Sequence, residues 1–473
     1  MFWKFPSEYL NNIAIIDSDI GKEFTYKELD ADCKKILPYL IQNEKKLAFL
    51  FCENSYYSIV SYIGLLRSGN AVVLLDSRIN NELKENLIKL YSPDLIITNT
   101  DESFNGYCQV KIINGIVINK LEKNSSSSRI FNDLAILLST SGTTGSPKLV
   151  RLSYKNIQAN AESITQYLKI TNSERPITSL PMQYSYGLSV INSHILKRAT
   201  LVLTKQSFVL RSFWEIFNRY KCTSFAGVPY SYQLLKHINF ENLELPTLST
   251  MTQAGGALNE EMQKYFYNLT KSRGIKFYVM YGQTEATARI SYVPHDYLGN
   301  KIGSIGIAIP SGKLKIISDG HDITETGREG ELVYIGGNVM LGYAVNRESL
   351  TKGDELKGEL HTGDIAKKDN DGFFYLTGRI NRFVKVFGLR VNLDEIERMA
   401  ENYSNCSAAC FGKDGNINII IQSDDNNLAP IVQRKLLDVY HLHHSVLHIK
   451  AMMLIPTTSS GKRDYSKMDE IFC

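Results

Sequence analysis

What the sequence lacks narrows its possible functions before any motif is considered. It holds no run approaching the roughly 18 consecutive apolar residues of a membrane-spanning helix, so no membrane span is expected. It also lacks an excess of either charge. Its 53 basic and 49 acidic residues leave a formal charge of +4, which gives no electrostatic reason to expect nucleic acid or a membrane surface as a partner. The seven cysteines are odd in number and irregular in spacing, which fits reduced thiols in the cytosol rather than a disulfide framework. The opening Met-Phe-Trp-Lys-Phe-Pro lacks the basic-then-apolar order of a signal peptide, and a cytoplasmic location is expected. Low complexity is confined to Asn124–Ser128, read here as a surface loop.

What is present is an ordinary globular composition, 43% apolar and 22% charged over 473 residues, a length that calls for two or more domains. The chain is organised around Leu137 to Val150. Leu134 to Leu138 has the length and flanks of a buried strand, and unbroken small hydroxyl or glycine residues run from Ser139 to Gly145. Such a backbone is unshielded, so the amides and hydroxyls of Thr140, Ser141, Gly142, Thr143, Thr144 and Gly145 can wrap a phosphate. Pro147 stiffens the exit, Lys148 supplies positive charge, and Leu149 and Val150 resume an apolar pattern. This is not the kinase and GTPase loop, because G-x-x-x-x-G-K-[ST] needs a wider spacing than that of Gly142 and Gly145.

Strand-like and helix-like runs alternate from Leu47 to Thr98, which predicts parallel strands joined by right-handed crossovers. Ser153 is placed to cap a helix from about Tyr154 to Tyr167. Tyr184 and Tyr186, within residues 180 to 189, either line a pocket or fill core. Gly227 and Val228, and then Gly255, Gly256 and Ala257, follow strand-like or turn-like runs where glycine permits the close approach of a planar ligand. Tyr281-Gly282-Gln283-Thr284-Glu285 follows the apolar strand Phe277 to Met280, and ligands gather at the carboxyl edge of open α/β sheets. Glu285 there suits a hard cation such as Mg2+.

Gly330 to Tyr343 suggests a small β-subdomain, and Asp364 and Arg379 flank a hairpin with its turn at Asn370 to Gly372. After a basic stretch come Lys385 to Asn392, including Arg390, and an amphipathic helix from about Leu393 to Glu401 capped by Asn392 or Asp394. Cys406, Cys410 and the histidines 441, 443, 444 and 448 lack metal-site spacing and are read as a solvated helix end. The chain closes on a hydroxyl-rich turn carrying Lys462.

In order, from Thr25-Tyr26-Lys27-Glu28-Leu29 through the phosphate loop, Tyr281 to Thr287, Asp364, Arg379 and the terminal Pro-x-Thr-x-x-Gly-Lys turn, the chain resembles the adenylate-forming enzymes: acyl-CoA synthetases, adenylation domains of peptide synthetases, and luciferases. That resemblance implies an α/β fold. A large N-terminal domain of several subdomains, residues 1–379, would hold parallel sheets and a small β-barrel-like part, and a small mobile α+β domain, 380–473, would hinge at Asn381. It implies ATP and Mg2+ as cofactors, Glu285 as the metal ligand and, with Thr284 and Lys462, a catalytic residue, and Tyr281, Gly282, Asp364, Arg379 and Arg390 at the nucleotide, with Asp364 on the ribose hydroxyls and Arg379 completing that contact. Gly255, Gly256 and Ala257 would flank adenine, and Tyr184, Tyr186, Gly227 and Val228 the acyl group. The reaction would be attack of a carboxylate on the α-phosphate, then transfer of the acyl group to a thiol, with coenzyme A favoured over the phosphopantetheine of an acyl carrier protein. A catalytically silent nucleotide-binding relative is the reading from another class. Two positions depart from the family pattern: Tyr184 stands where many members have histidine, and Asn381-Arg382 where the hinge is usually aspartate or lysine. Pro181 to Ser189 lacks the aspartate that holds an α-ammonium group in amino-acid-activating members.

Overall fold

The computed structural model describes the chain except residues 42, 80, 123–128, 140–147, 381, 387–388, 414, 441–442, 459–462 and 473. The phosphate loop from Thr140 to Gly145, the Asn124–Ser128 loop, the hinge Asn381, His441 and Lys462 therefore lie outside the described residues, as do the side chains of Arg390 and Asn392. The chain divides into two units. The first takes in Met1–Thr140, Ser146–Lys313 and Ile335–Leu360, and the second takes in Leu314–Tyr334 and His361–Cys473.

The first unit is built on an eight-stranded sheet. Its middle is parallel: Leu134–Ser139, Ala71–Asp76, Leu47–Cys52 and Leu95–Thr98 are neighbours in that order. Side chains alternate across a strand, so a strand apolar at every position must be covered on both faces. Leu47–Cys52 meets that condition. Ala48, Leu50 and Cys52 enter one buried cluster with helices Tyr26–Leu40 and Tyr56–Ser68, while Leu47, Phe49 and Phe51 enter another with helix Asn81–Tyr91. The alternation expected from Leu47 to Thr98 is present, strand by strand.

Local chemistry fixes the helix starts. At Thr25 the hydroxyl accepts from the Glu28 amide while Glu28 Oε2 accepts from the Thr25 amide at 2.7 Å, a capping box that satisfies two end donors together. Ser153 does the same with Asn156 at the head of Tyr154–Tyr167, as the sequence predicts.

A second sheet in this unit sets Ser224–Gly227, Thr250–Gln253 and Lys276–Tyr281 parallel, with Ser291–Tyr292 and Ile307–Ala308 continuing antiparallel. The loops that leave the parallel strands at Gly227, Gln253 and Tyr281 therefore emerge at one edge.

The β-subdomain expected from Gly330 to Tyr343 is divided. Gly330–Ile335 lies in a five-stranded sheet of the second unit, whereas Gly342–Ala344 pairs antiparallel with Leu149–Ser153 at the rim of the eight-stranded sheet. The turn between them is fastened elsewhere: Asn338 Nδ2 donates to the carbonyls of Ala286 and Arg289, 2.7 Å each. Among the described residues the five-stranded sheet is open, with edge strands His321–Asp322 and Phe374–Arg379.

The rest of the second unit is α+β. Helices Leu393–Ser404 and Leu428–Tyr440 cover a sheet of Ala408–Lys413, Asn416–Gln422 and Leu447–Met452. Leu393 opens its helix, so Asp394 sits inside the first turn and pairs with Arg382 at 2.7 Å rather than capping. Arg382 also pairs with Glu397, and Arg463 with Glu397 and Glu401. His443 and His444 are exposed beside a short turn, and no metal-holding cluster occurs among the described residues.

Candidate active site

The loops at the carboxyl edge of Ser224–Gly227, Thr250–Gln253 and Lys276–Tyr281 bring most of the described candidates together. Gly255 has φ +87°, and a Cβ on it would stand 2.4 Å from the Tyr184 hydroxyl oxygen, so only glycine lets that tyrosine lie across the loop. Gln253 Nε2 closes the same loop on the Gly256 carbonyl at 2.9 Å, leaving Gly256 and Ala257 exposed. Gly227 ends its strand, and Val228 precedes helix Pro229–His237.

Tyr184 meets Tyr186 edge-on, with centroids 6.3 Å apart. Burial pushes the Tyr184 hydroxyl up to about 12 and raises that of Tyr186 as well. The Tyr186 hydroxyl is engaged by the Thr252 hydroxyl and carbonyl at 2.8 and 2.9 Å. Tyr184 is half-buried at the loop and Tyr186 is core.

After Tyr281 the chain turns tightly. A Cβ on Gly282 would stand 1.9 Å from the Ala288 carbonyl oxygen, so the segment from 282 to 288 closes on itself only with glycine there. Thr284 is buried, 3.2 Å from the Ser185 hydroxyl. Glu285 is held at both ends. Its carbonyl accepts from the Met340 amide at 2.8 Å, and its Oε1 accepts from the Tyr343 hydroxyl at 2.8 Å. Burial, and then the Glu285 carboxylate itself, push the Tyr343 hydroxyl well above its usual range, so it remains a donor. Over the Tyr343 ring lies the Lys148 ammonium, 3.3 Å from the centroid. The cation that leads out of the phosphate loop, one aromatic ring and the candidate metal ligand thus form one stack.

The donor chemistry fits a nucleotide-borne Mg2+. That ion takes one or two carboxylates and completes its shell with phosphate oxygens and water, and Glu285 offers one carboxylate with no cluster of further ligands among the described residues. In the second unit, Asp364 and Arg379 are register partners across their hairpin, with Arg379 Nε donating to Asp364 Oδ1 at 2.8 Å. Asp364 is 1% exposed while its arginine is largely in solvent.

Three residues that the sequence reading missed shape this site. Tyr343 and Asn338 lie in the Gly-Gly-Asn-Val-Met-Leu-Gly-Tyr stretch, where glycine spacing suggests only strands and turns. Arg289 lies two residues beyond Thr287, and the backbone aims it inward through two successive positive φ values, 54° at Thr287 and 101° at Ala288. Asn338 and Thr287 clamp that turn, the threonine donating to the Asn338 carbonyl at 2.6 Å.

The chain is 26% identical to the D-alanine–D-alanyl carrier protein ligase of Staphylococcus epidermidis, over 97% of this chain and 96% of that protein. To the 2-succinylbenzoate–CoA ligase of Bacillus subtilis it is 27% identical over 81% of this chain and 78% of that one. A solved structure of the O-succinylbenzoate coenzyme A synthetase of Bacillus subtilis, in complex with ATP and magnesium ion, is similar in fold with a TM-score of 0.74 at 20% identity, covering 97% of this chain and 96% of that chain. Residues 2–344 match the AMP-binding enzyme family, and the chain belongs to that family of adenylate-forming enzymes.

Proposed function

We propose that this protein is an AMP-forming acid–thiol ligase: it uses ATP to convert a carboxylic acid to an acyl-adenylate with release of pyrophosphate, then passes the acyl group to a thiol. The observation that carries this reading is the clamped Glu285, oriented by Tyr343 with Lys148 on the same ring. A carboxylate is already ionised near pH 7, so no general base is needed. The task is to bring two anions together and stabilise charge on the pentavalent phosphorus. Mg2+ would neutralise phosphate charge, with Glu285 as its protein ligand. Lys148 and the amides of Thr140 to Gly145 would hold the phosphates. Asp364 with Arg379 would take the ribose hydroxyls, Tyr281, Gly282, Gly255, Gly256, Ala257 and Arg390 would surround the nucleotide, and Tyr184, Gly227 and Val228 would border the acyl group. Lys462 would act on the α-phosphate in one pose of the C-terminal part, and a turn about Asn381 would exchange it for the thiol-accepting pose.

Coenzyme A is the acceptor we favour. A carrier-protein phosphopantetheine is the second reading, supported by the near full-length likeness to a carrier protein ligase. We place the reaction in the cytoplasm, in keeping with six described cysteines that are all free. ATP–pyrophosphate exchange across a panel of acids tests the first step, and thioester formation with coenzyme A against a holo carrier protein tests the acceptor. Exchange with at least one acid is expected. Silence with every acid would favour a nucleotide-binding relative without activity, and thioester formed only on the carrier would reverse the acceptor.

A further inference from the structure

Arg289 is 2% exposed, yet its Nε and Nη1 have no hydrogen-bond partner, and no carboxylate among the described residues pairs with it. Its guanidinium packs on the Tyr186 ring, 4.1 Å from the centroid. The Tyr167 hydroxyl, whose own proton goes to Met280 Sδ at 3.0 Å, accepts from the guanidinium, which leaves Nε and Nη1 as the donors without a partner. A ring face offsets part of a buried charge, whereas a guanidinium presents a planar fork of donors that only acceptors satisfy. Buried polar groups without partners are rare in folded proteins and call for an explanation.

The surroundings supply one. Arg289 follows Glu285 by four residues, and its guanidinium stacks on Tyr186, which meets Tyr184, whose hydroxyl covers Gly255. It therefore stands at the inner end of the wall whose outer end borders the candidate acyl site. A cavity of about 30 Å³ opens there, lined by Arg289, Glu174, Thr252, Ala226, Val190 and His194. That is room for a small polar group. The two free donors point from different edges of the guanidinium, and an oxygen of an anionic group such as a carboxylate satisfies a charged donor of this kind.

We propose that the acid activated by this chain carries a second carboxylate, and that Arg289 binds it while the first is adenylated. This rests on the ligase reading above and names its substrate class. The contact is remote from the reacting carboxylate and is made equally in ground state and transition state, so its loss falls on KM more than on kcat.

ATP–pyrophosphate exchange with matched sets of aliphatic and aromatic acids tests it, each set comprising a diacid, its half-amide and the corresponding monoacid. The wild-type protein is expected to favour a diacid over its half-amide by about 10- to 100-fold in kcat/KM. Arg289→Met should remove that preference chiefly through KM, and Arg289→Lys should restore part of it. The wild-type ratio stands even if both variants fail to fold. Exchange with monoacids or half-amides at rates equal to those of diacids would overturn the second-carboxylate assignment and leave adenylation intact. Silence with every acid would overturn the ligase reading, and this proposal with it.

Discussion

Arg151 and Arg289, the two most deeply buried of the described guanidiniums in the first unit, are treated in opposite ways. Arg151, in strand Leu149–Ser153, is fully buried and fully employed. Its Nε donates to the Tyr343 carbonyl at 3.2 Å, its Nη1 to Lys352 and Gly353 carbonyls, and its Nη2 to the Leu341 carbonyl and the Glu355 carboxylate. Arg289 is nearly as deeply buried, packs on a ring face and leaves Nε and Nη1 without a partner. A charge inside a protein is costly unless paired and hydrogen-bonded. The first arginine is therefore a structural rivet that ties residues 341–355 to the sheet, whereas the second holds donor capacity in reserve for a molecule that arrives later.

Removing each arginine should separate these roles most sharply. Arg151→Met would orphan several buried carbonyls at once, and a loss of about 3 kcal/mol or more is expected in urea unfolding. Arg289→Met removes an unsatisfied charge and should cost no more than about 1 kcal/mol. Equal losses would mean that Arg289 is structural too, and the contrast would collapse.

Acid should probe the same cavity through His194. Its Nδ1 lies 2.8 Å from the Val190 carbonyl, and burial pulls its pKa down to about 4 from the usual 6.5. Arg289 and Glu174 line the same cavity. The native state refuses a proton that the unfolded chain accepts, so stability from this group is intact above about pH 6.5 and declines as pH falls toward 4. The expected loss is about 3 kcal/mol. In His194→Gln that part of the acid sensitivity should vanish, and an unchanged pH profile of the melting temperature would refute the assignment.

How much of this was legible in the sequence depends on the kind of interaction. The parallel strands, the Ser153 cap and the Asp364–Arg379 hairpin were readable, because period, capping chemistry and turn residues are local in sequence. The Glu285–Tyr343 contact spans 58 residues, and the division of Gly330 to Tyr343 between two sheets depends on Asn338 reaching back to residues 286 and 289. Neither leaves a periodic trace. Arg289 was invisible for another reason: a lone arginine beyond a motif looks like surface, and only its burial with Nε and Nη1 unpartnered marks it.

The two ends of one short loop, Glu285 and Arg289, extend the comparison to catalysis. Glu285→Gln keeps the shape and the Tyr343 contact but removes the charge that would hold Mg2+. A loss of one charge-assisted contact is worth about 1.5 to 3 kcal/mol, so pyrophosphate exchange should slow by about 10- to 100-fold with a raised Mg2+ requirement and unchanged unfolding. Where Arg289→Met acts on KM, this variant should act on kcat. A kcat effect from both would mean that the loop works as one catalytic piece.

Tyr343→Phe should give the smallest effect and resolve the finest point. The ring beneath Lys148 stays, and only the hydroxyl that donates to Glu285 Oε1 is lost. Glu285 is half-buried, so water can replace that donor in part, and the hydrogen bond is worth about 1 kcal/mol. Exchange should fall about fivefold, with the affinity for Mg2+ lowered and lysine-dependent phosphate binding retained. Tyr343→Leu, which removes the ring as well, should then weaken ATP binding in addition. If Phe and Leu behave alike, the hydroxyl alone matters and the 3.3 Å approach of Lys148 to the ring has no part in holding the nucleotide. If Phe matches the wild-type protein while Leu fails, the ring positions the lysine and Glu285 keeps its orientation through the Met340 amide on its carbonyl instead.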